Sequence, residues 1–159
     1  MKTALVYYSY EGSTAIAAEA LKAAFNADSF EIKTKDNKKR KGFAKYLWGG
    51  FQVMAKRKPE ILPLSMDVEA YDLIILGTPV WAGSPSAPMQ SFIAKTKISG
   101  KKVALFCCSL GENKEFFGLF RKLLPGNTIV GEIAFVKSAE KENADLKNQI
   151  SEWVKKLGA

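Results

Sequence analysis

The sequence predicts an α/β fold in which a parallel β-sheet carries helices on both faces. Strand-like and helix-like segments alternate along the 159 residues, as in chains built from βαβ units. The runs near residues 2–8, 73–76 and 101–108 are continuously apolar instead of alternating, which is typical of strands buried on both faces. Small polar residues, glycine or proline follow each of these runs, as expected where a strand passes into a loop.

The N-terminal part contains two predicted strands and a helix. Lys2–Tyr8 is an apolar strand, and Ser13–Phe25 has its apolar residues at helical spacing. Ser29–Thr34 is a short strand in which Phe30 and Ile32 alternate with polar residues.

Residues 33–58 form a basic segment between the second and third strands. Ten lysines and arginines stand against one acid in this segment, and the whole chain has a formal net charge of +8. The apolar spacing of residues 42–58 predicts a broken helix that ends before Pro59. The segment is either a solvated face or a docking surface for an acidic protein, an anionic substrate or a membrane surface. Tyr46, Trp48 and Phe51 lie among the charges, and no nucleic-acid recognition motif accompanies them.

The C-terminal part continues the alternation of strands and helices. Leu73–Leu76 is the clearest strand, followed by a loop from Gly77. The remaining predicted elements are a helix at 86–96 with Pro88 in its first turn, a strand at 101–108, a helix before Pro125-Gly126, a strand at 128–136 and a helix at 139–157.

Composition excludes several function classes. Hydrophobic residues make up 47% of the chain, and we expect a single domain over residues 1–159, with no signal peptide and no membrane helix. No histidine is present, so Ser-His-Asp and Cys-His catalysis are excluded. Cys107 and Cys108 are neighbours in a strand and should point to opposite faces. This predicts free thiols and a cytoplasmic location.

The junction between the first strand and the first helix reads SYEGST, residues 9–14. The first N–H groups of a helix have no intrahelical acceptor and carry about half an elementary positive charge, so a phosphate can bind there. Ser9, Ser13 and Thr14 add hydroxyl donors, and Gly12 permits a turn that other residues resist. The same residues can also form a simple N-cap without a ligand. The spacing matches neither common glycine-rich nucleotide-binding motif.

These residues resemble the S/T-x-T-G-x-T loop of the flavodoxin-like FMN proteins, with Glu11 where that family usually has threonine. The stretch GTPVWAGSPSAPM, residues 77–89, is similar to the family's G-[ST]-P-[IV]-[WY] segment. The resemblance covers nearly the whole chain. It implies FMN as the cofactor and a flavodoxin-like three-layer sandwich, with five parallel strands in the order 2-1-3-4-5.

The resemblance also implies where the flavin ring lies. Trp81 would be near or stacked on the ring, since an indole offers a flat apolar face; the alternative is a tryptophan packed on the surface. The loop after the fourth strand would close the other side. The predicted cofactor-binding residues are Ser9, Tyr10, Glu11, Gly12, Ser13, Thr14, Thr78, Pro79, Val80, Trp81, Ala82, Gly83, Ser109, Leu110 and Gly111, and no catalytic side chain or metal ligand is predicted.

FMN carries redox chemistry by itself, so no side chain needs to act as an acid or a base, which agrees with the absence of histidine. We therefore predict an FMN-binding electron-transfer protein that serves a redox partner protein, with an acidic surface as one option, or a small-molecule acceptor. A monomer and a homodimer both remain open. The alternatives are an NAD(P)H-dependent quinone or flavin reductase and, in another class, a flavin-free binding module acting through the basic segment. A phosphoacceptor domain would need aspartates where Tyr7, Tyr8 and Ser9 stand.

Overall fold

The computed structural model describes residues 1–35, 51, 58–111, 115–136 and 144–158. Along the chain, the described elements are β1 (Thr3–Tyr7), α1 (Ser13–Phe25), β2 (Asp28–Glu31), a 3-10 turn (Val68–Ala70), β3 (Leu73–Trp81), β4 (Ser84–Pro85), α2 (Ala87–Thr96), β5 (Lys102–Ser109), α3 (Phe116–Lys122), β6 (Thr128–Val136) and α4 (Ala144–Leu157).

The sheet has the strand order β2-β1-β3-β5-β6, and β4 pairs with β3 outside this path. The five strands of the path are parallel, whereas β4 is antiparallel to β3. Numbered without β4, the order is 2-1-3-4-5, so the predicted topology is confirmed. Because β1 and β3 are neighbours at the point where the order reverses, the loops that follow them share one edge of the sheet.

The core occupies both faces of the sheet. On one face, Val6 and Leu76 pack with side chains of α2 and α3. On the other, Leu5 and Ile75 pack with side chains of α1 and α4. Successive strand residues point to opposite faces, and here each face is covered by helices. This explains why the apolar runs lack polar alternation, and it confirms the three layers.

The two cysteines follow the same alternation. Cys107 belongs to the core on the α2 and α3 face, and Cys108 to the core on the α1 and α4 face. Both are buried and free, as predicted. A disulfide between them is incompatible with side chains on opposite faces of one strand.

The largest difference from the predicted elements concerns β3, which continues to Trp81 instead of ending at Leu76. Gly77, Thr78 and Pro79 look like loop residues in the sequence, but they extend the ladder with β5, where Thr78 pairs with Cys107. A proline is tolerated here because β1 pairs with β3 only as far as Gly77, so Pro79 has no strand neighbour on that side.

Several predictions fall on residues outside the described ranges. They include the broken helix of the basic segment with Tyr46 and Trp48, the beginning of the terminal helix, and Glu112 and Asn113 of the third loop. The helix before Pro125-Gly126 ends at Lys122. Among the described helices, none is long and apolar enough to cross a membrane.

Candidate functional site

Three loops meet at the edge of the sheet where β1, β3 and β5 end or pass out of the core. The Tyr8 N–H donates to the Gly77 carbonyl oxygen at 3.0 Å, which joins the first loop to β3. The Cys108 thiol donates to the Ser13 carbonyl oxygen at 3.7 Å, which joins the end of β5 to the start of α1. The parallel sheet therefore brings together the three segments predicted to share one site.

In the first loop, Ser9 organises the beginning of α1. Its hydroxyl oxygen accepts hydrogen bonds from the N–H groups of Gly12 and Ala15, each at 3.2 Å. Gly12 has φ of 110°, a conformation that residues with a Cβ rarely adopt. A Cβ added there would meet no atom within 4 Å. The glycine is therefore required by its backbone conformation, and the space beside it is open.

This arrangement leaves two backbone donors at the helix start. Of the four N–H groups at the start of a helix that lack an intrahelical acceptor, those of Gly12 and Ala15 donate to the Ser9 hydroxyl oxygen. Among the described residues, the N–H groups of Ser13 and Thr14 have no hydrogen-bond acceptor. Thr14 is only 2% exposed, whereas Glu11 is exposed. The loop contains no lysine or arginine, so its electrostatic attraction for an anion comes from neutral dipoles.

The second loop is a β-hairpin. Val80 pairs with Pro85, and Trp81 with Ser84, so the connection consists of Ala82 and Gly83. Both have positive φ, 47° for Ala82 and 73° for Gly83, as two-residue hairpin turns of the I′ kind require. Alanine is strained in this conformation by about 1 kcal/mol. The turn therefore depends on the contacts that hold its two arms.

An aromatic cluster joins the hairpin to the first loop. The Trp81 ring makes edge-to-face contacts with Tyr8, at 5.7 Å between centroids, and with Tyr10, at 5.8 Å. Trp81 and Tyr10 are partly exposed, and Tyr8 is buried. Burial is the main cause that raises the pKa of the Tyr8 phenol above its usual value. The Tyr8 phenol is therefore uncharged at neutral pH.

The third loop is described as far as Gly111. The Ser109 hydroxyl donates to the Gly111 carbonyl oxygen at 2.7 Å. Leu110 is 72% exposed, which makes it an apolar rim residue at this edge of the sheet. Beneath it, burial raises the pKa of the Cys107 thiol to about 12, with a smaller contribution from Cys108. A reactive thiolate is therefore absent at Cys107 at neutral pH.

All three predicted segments lie at this edge, but their side chains differ in accessibility. Thr78 is fully buried, and its hydroxyl is hydrogen-bonded to Ser86. This hydroxyl therefore supports the hairpin that carries Trp81. Sequence reasoning missed Tyr8, Ser86 and Gln90 as residues that support the site. Tyr8 immediately precedes the loop of residues 9–14, and Ser86 occupies the position before a helix. Neither position in the sequence reveals which distant residue the side chain contacts.

The comparison with known protein families decides the identity. The model of one family, described as NADPH-dependent FMN reductase, matches residues 1–119. The chain belongs to this family. No curated protein matches the chain.

Solved structures agree with the family. A flavoprotein in complex with FMN from Lactobacillus acidophilus NCFM shares 25% identity over 96% of this chain and 97% of that chain, with a TM-score of 0.77. Two other structures show the fold alone. Two-electron reduced Megasphaera elsdenii flavodoxin shares 20% identity over 99% of each chain, with a TM-score of 0.60. Oxidised Flavodoxin 2 from Bacillus cereus shares 19% identity over 99% of this chain and 98% of that chain, with a TM-score of 0.62. This member of the FMN reductase family is an FMN-binding flavoprotein with a flavodoxin-like fold, and the predicted cofactor is confirmed.

The residues of this flavoprotein fit FMN. The phosphate requires donors, which the N–H groups of Ser13 and Thr14 would supply, and the space beside Gly12 is open. The ring requires a flat apolar wall, which the partly exposed Trp81 would supply. In the parts of the chain that the structure describes, no cluster of three or more histidine, cysteine, aspartate or glutamate residues could hold a metal ion.

Proposed function

We propose that this protein holds FMN at the edge where β1, β3 and β5 meet and that it transfers electrons from NADPH to a second substrate. The observation that carries the proposal is the contact of Trp81 with Tyr8 and Tyr10, because it supports an aromatic wall for the flavin ring beside the start of α1, where the phosphate would bind. The family description supports NADPH as the electron donor.

In this proposal, each loop has its own role. The N–H groups of Ser13 and Thr14 bind the phosphate, and Ser9 keeps the helix start in shape. Trp81, on the Val80–Gly83 arm and turn of the hairpin, covers one side of the ring, and Ser109–Gly111 border the other. When bound, FMN supplies reversible electron transfer. The chain itself excludes water from the ring and keeps charged side chains other than Glu11 away from the phosphate.

We further propose a single cytoplasmic domain over residues 1–159. The Lactobacillus flavoprotein is covered over nearly its whole length, which supports one domain, and the two free, buried thiols suit a reducing compartment. The acceptor is a small molecule or a protein with an acidic surface, which would be attracted by the net charge of +8.

A charge placed at the start of α1 tests the phosphate site. Ser13→Asp should weaken FMN binding at least tenfold, because two like charges about 4 Å apart repel by several kcal/mol near a protein surface. The fold should tolerate the change, since an acid in the first turn stabilises a helix. Titration of the apoprotein with FMN, followed by flavin fluorescence, measures the affinity. Ser13→Asn is the neutral control, and equal affinity of both variants would contradict the assignment.

The electron donor is tested with the FMN-loaded protein under anaerobic conditions. NADPH should bleach the visible flavin absorbance and support repeated reduction of a quinone. If only photoreduction bleaches the flavin, the protein is an electron carrier that receives its electrons from another protein, and the reductase part of the proposal is wrong.

A further inference from the structure

We propose that the buried hydroxyl pair of Thr78 and Ser86 is a positioning device that holds the Trp81 hairpin in its flavin-binding conformation before FMN arrives. The inference rests on the proposed function, in which the flavin ring lies against this hairpin. It assigns a role to two residues that do not themselves contact the ring.

The two residues of the pair are sealed from water and hydrogen-bonded to each other. Thr78 and Ser86 are each 0% exposed. The Ser86 N–H donates to the Thr78 hydroxyl oxygen at 3.1 Å. The Thr78 hydroxyl has two acceptors within reach, the Ser86 hydroxyl oxygen at 2.8 Å and the Pro79 carbonyl oxygen at 3.1 Å. Without Thr78, a buried backbone donor would lose its acceptor, and no water could replace it.

The pair closes the base of the hairpin. Thr78 lies on β3 three residues before Trp81, and Ser86 immediately precedes α2. A second clamp comes from the first turn of that helix, where the Gln90 side-chain amide donates to the Pro85 carbonyl oxygen at 2.8 Å. The rigid helix α2 thereby holds the β4 arm against the β3 arm.

The tip of the hairpin needs such support. Ala82 is exposed and has φ of 47°, so the turn stores strain that only the surrounding contacts maintain. A loosened base would let the turn relax and would move Trp81. The apparent dissociation constant would then rise in inverse proportion to the fraction of molecules in the binding-competent conformation. The pair therefore acts on affinity through preorganisation.

Variants of Thr78 in the full-length chain test the role of the hydroxyl. Thr78→Val keeps the shape and removes both donor and acceptor, so FMN should bind about tenfold more weakly, equal to about 1.4 kcal/mol, chiefly through slower association. Thr78→Ser restores the hydroxyl and should bind FMN within about twofold of the parent. The visible circular dichroism of the bound flavin should change in the valine variant and not in the serine variant. If Thr78→Val does not fold, Ser86→Ala, which keeps the backbone donor, should still weaken FMN binding about threefold.

A matched control lies on α2, the helix that follows Ser86. Ser91 is also buried, at 7% exposure, but its hydroxyl has no hydrogen-bond partner among the described residues. Ser91→Ala therefore removes a buried hydroxyl of α2 that holds nothing. We expect unchanged FMN affinity and an unchanged flavin spectrum in this variant.

The outcomes separate the positioning role from the proposed function. If Trp81→Ala weakens FMN binding but Thr78→Val and Ser86→Ala do not, the hairpin binds the ring and the positioning role is wrong. If Thr78→Val and Thr78→Ser weaken binding equally, the methyl group and not the hydroxyl matters, which also overturns the inference. If Trp81→Ala leaves affinity and spectrum unchanged, the flavin does not lie against the hairpin, and both proposals fail.

Discussion

Ser9 shows how one hydroxyl can shape the start of a helix. By accepting from the N–H groups of Gly12 and Ala15, it holds the loop in a conformation in which the N–H groups of Ser13 and Thr14 remain available. The hydroxyl of Ser86 does comparable work for the hairpin, through Thr78. At the residue scale, the donors of this site are largely backbone groups, and the hydroxyls fix their positions.

Cys107 offers a residue-scale prediction about pH. Burial raises the pKa of its thiol from 9.0 to about 12, so above pH 9 the unfolded chain loses the proton while the folded chain keeps it. The stabilisation is complete below pH 9 and declines as the pH rises toward 12. When the pH is raised from about 8 to about 10, the unfolding free energy should fall in both proteins. The fall should be about 1 kcal/mol smaller in Cys107→Ala than in the parent. Urea unfolding at both pH values measures this, and equal losses would contradict the assignment.

At the scale of elements, the extension of β3 past Gly77 determines how the site is built. The strand pairs with β5 as far as Pro79 and then turns back as β4. This continuation carries Trp81 out of the core to the edge where β1 ends, and α2 follows directly. Strand, hairpin and helix thus form one continuous support for Trp81.

Gly77 gives the matching prediction at this scale. A Cβ at Gly77 would lie 1.9 Å from the ring of Phe106 on β5, whereas a Cβ at Gly118, in α3, would meet no atom within 4 Å. We expect Gly77→Ala to destabilise the fold by about 2 kcal/mol or more through overpacking, and Gly118→Ala to stabilise it by about 0.5–1 kcal/mol through helix entropy. Urea unfolding midpoints compare the two, and shifts of the same sign would contradict the packing argument.

At the scale of the whole molecule, charge and binding site are connected. Two contacts join the described residues on either side of the basic segment's undescribed part. Thr34 pairs with Ile61, and Lys35 forms an ion pair with Glu60. These residues follow the carboxyl end of β2, which is the same edge as the proposed flavin site. The remainder of the chain is nearly neutral in sequence, so an anionic partner would be attracted to the basic segment.

The connection predicts a salt dependence. Electron transfer to an acidic redox protein should slow by about tenfold or more between about 20 and 200 mM salt, because screening shortens the reach of the basic charges. Reduction of a neutral quinone by the same protein should remain unchanged. Replacing Lys38, Lys39 and Lys41 with serine should lower the low-salt rate in the first reaction only. A rate with the acidic protein that is insensitive to salt would show that the basic segment does not guide this partner.

Much of the fold was predictable because it depends on local patterns. The continuous apolar runs that contain Leu5, Ile75 and Leu105 can be buried only between two layers of helices. The glycine and hydroxyl residues after the first strand, together with Trp81 after the third, predicted the cofactor through their resemblance to a family. The match of residues 1–119 to the FMN reductase family agrees with that prediction.

What the sequence by itself determined is therefore the class of fold, the strand order implied by the resemblance, and the kind of cofactor. The class of fold follows from the spacing of apolar residues, whereas the strand order and the cofactor are what the resemblance of the two loops to a known family implies. Only the tertiary structure decided that β3 continues to Trp81, that Ser86 bonds to Thr78, and that Tyr8 contacts the indole. Such contacts join residues that are distant or unremarkable in sequence, because they depend on how the parallel sheet aligns its strands and on which donors remain once the core is closed.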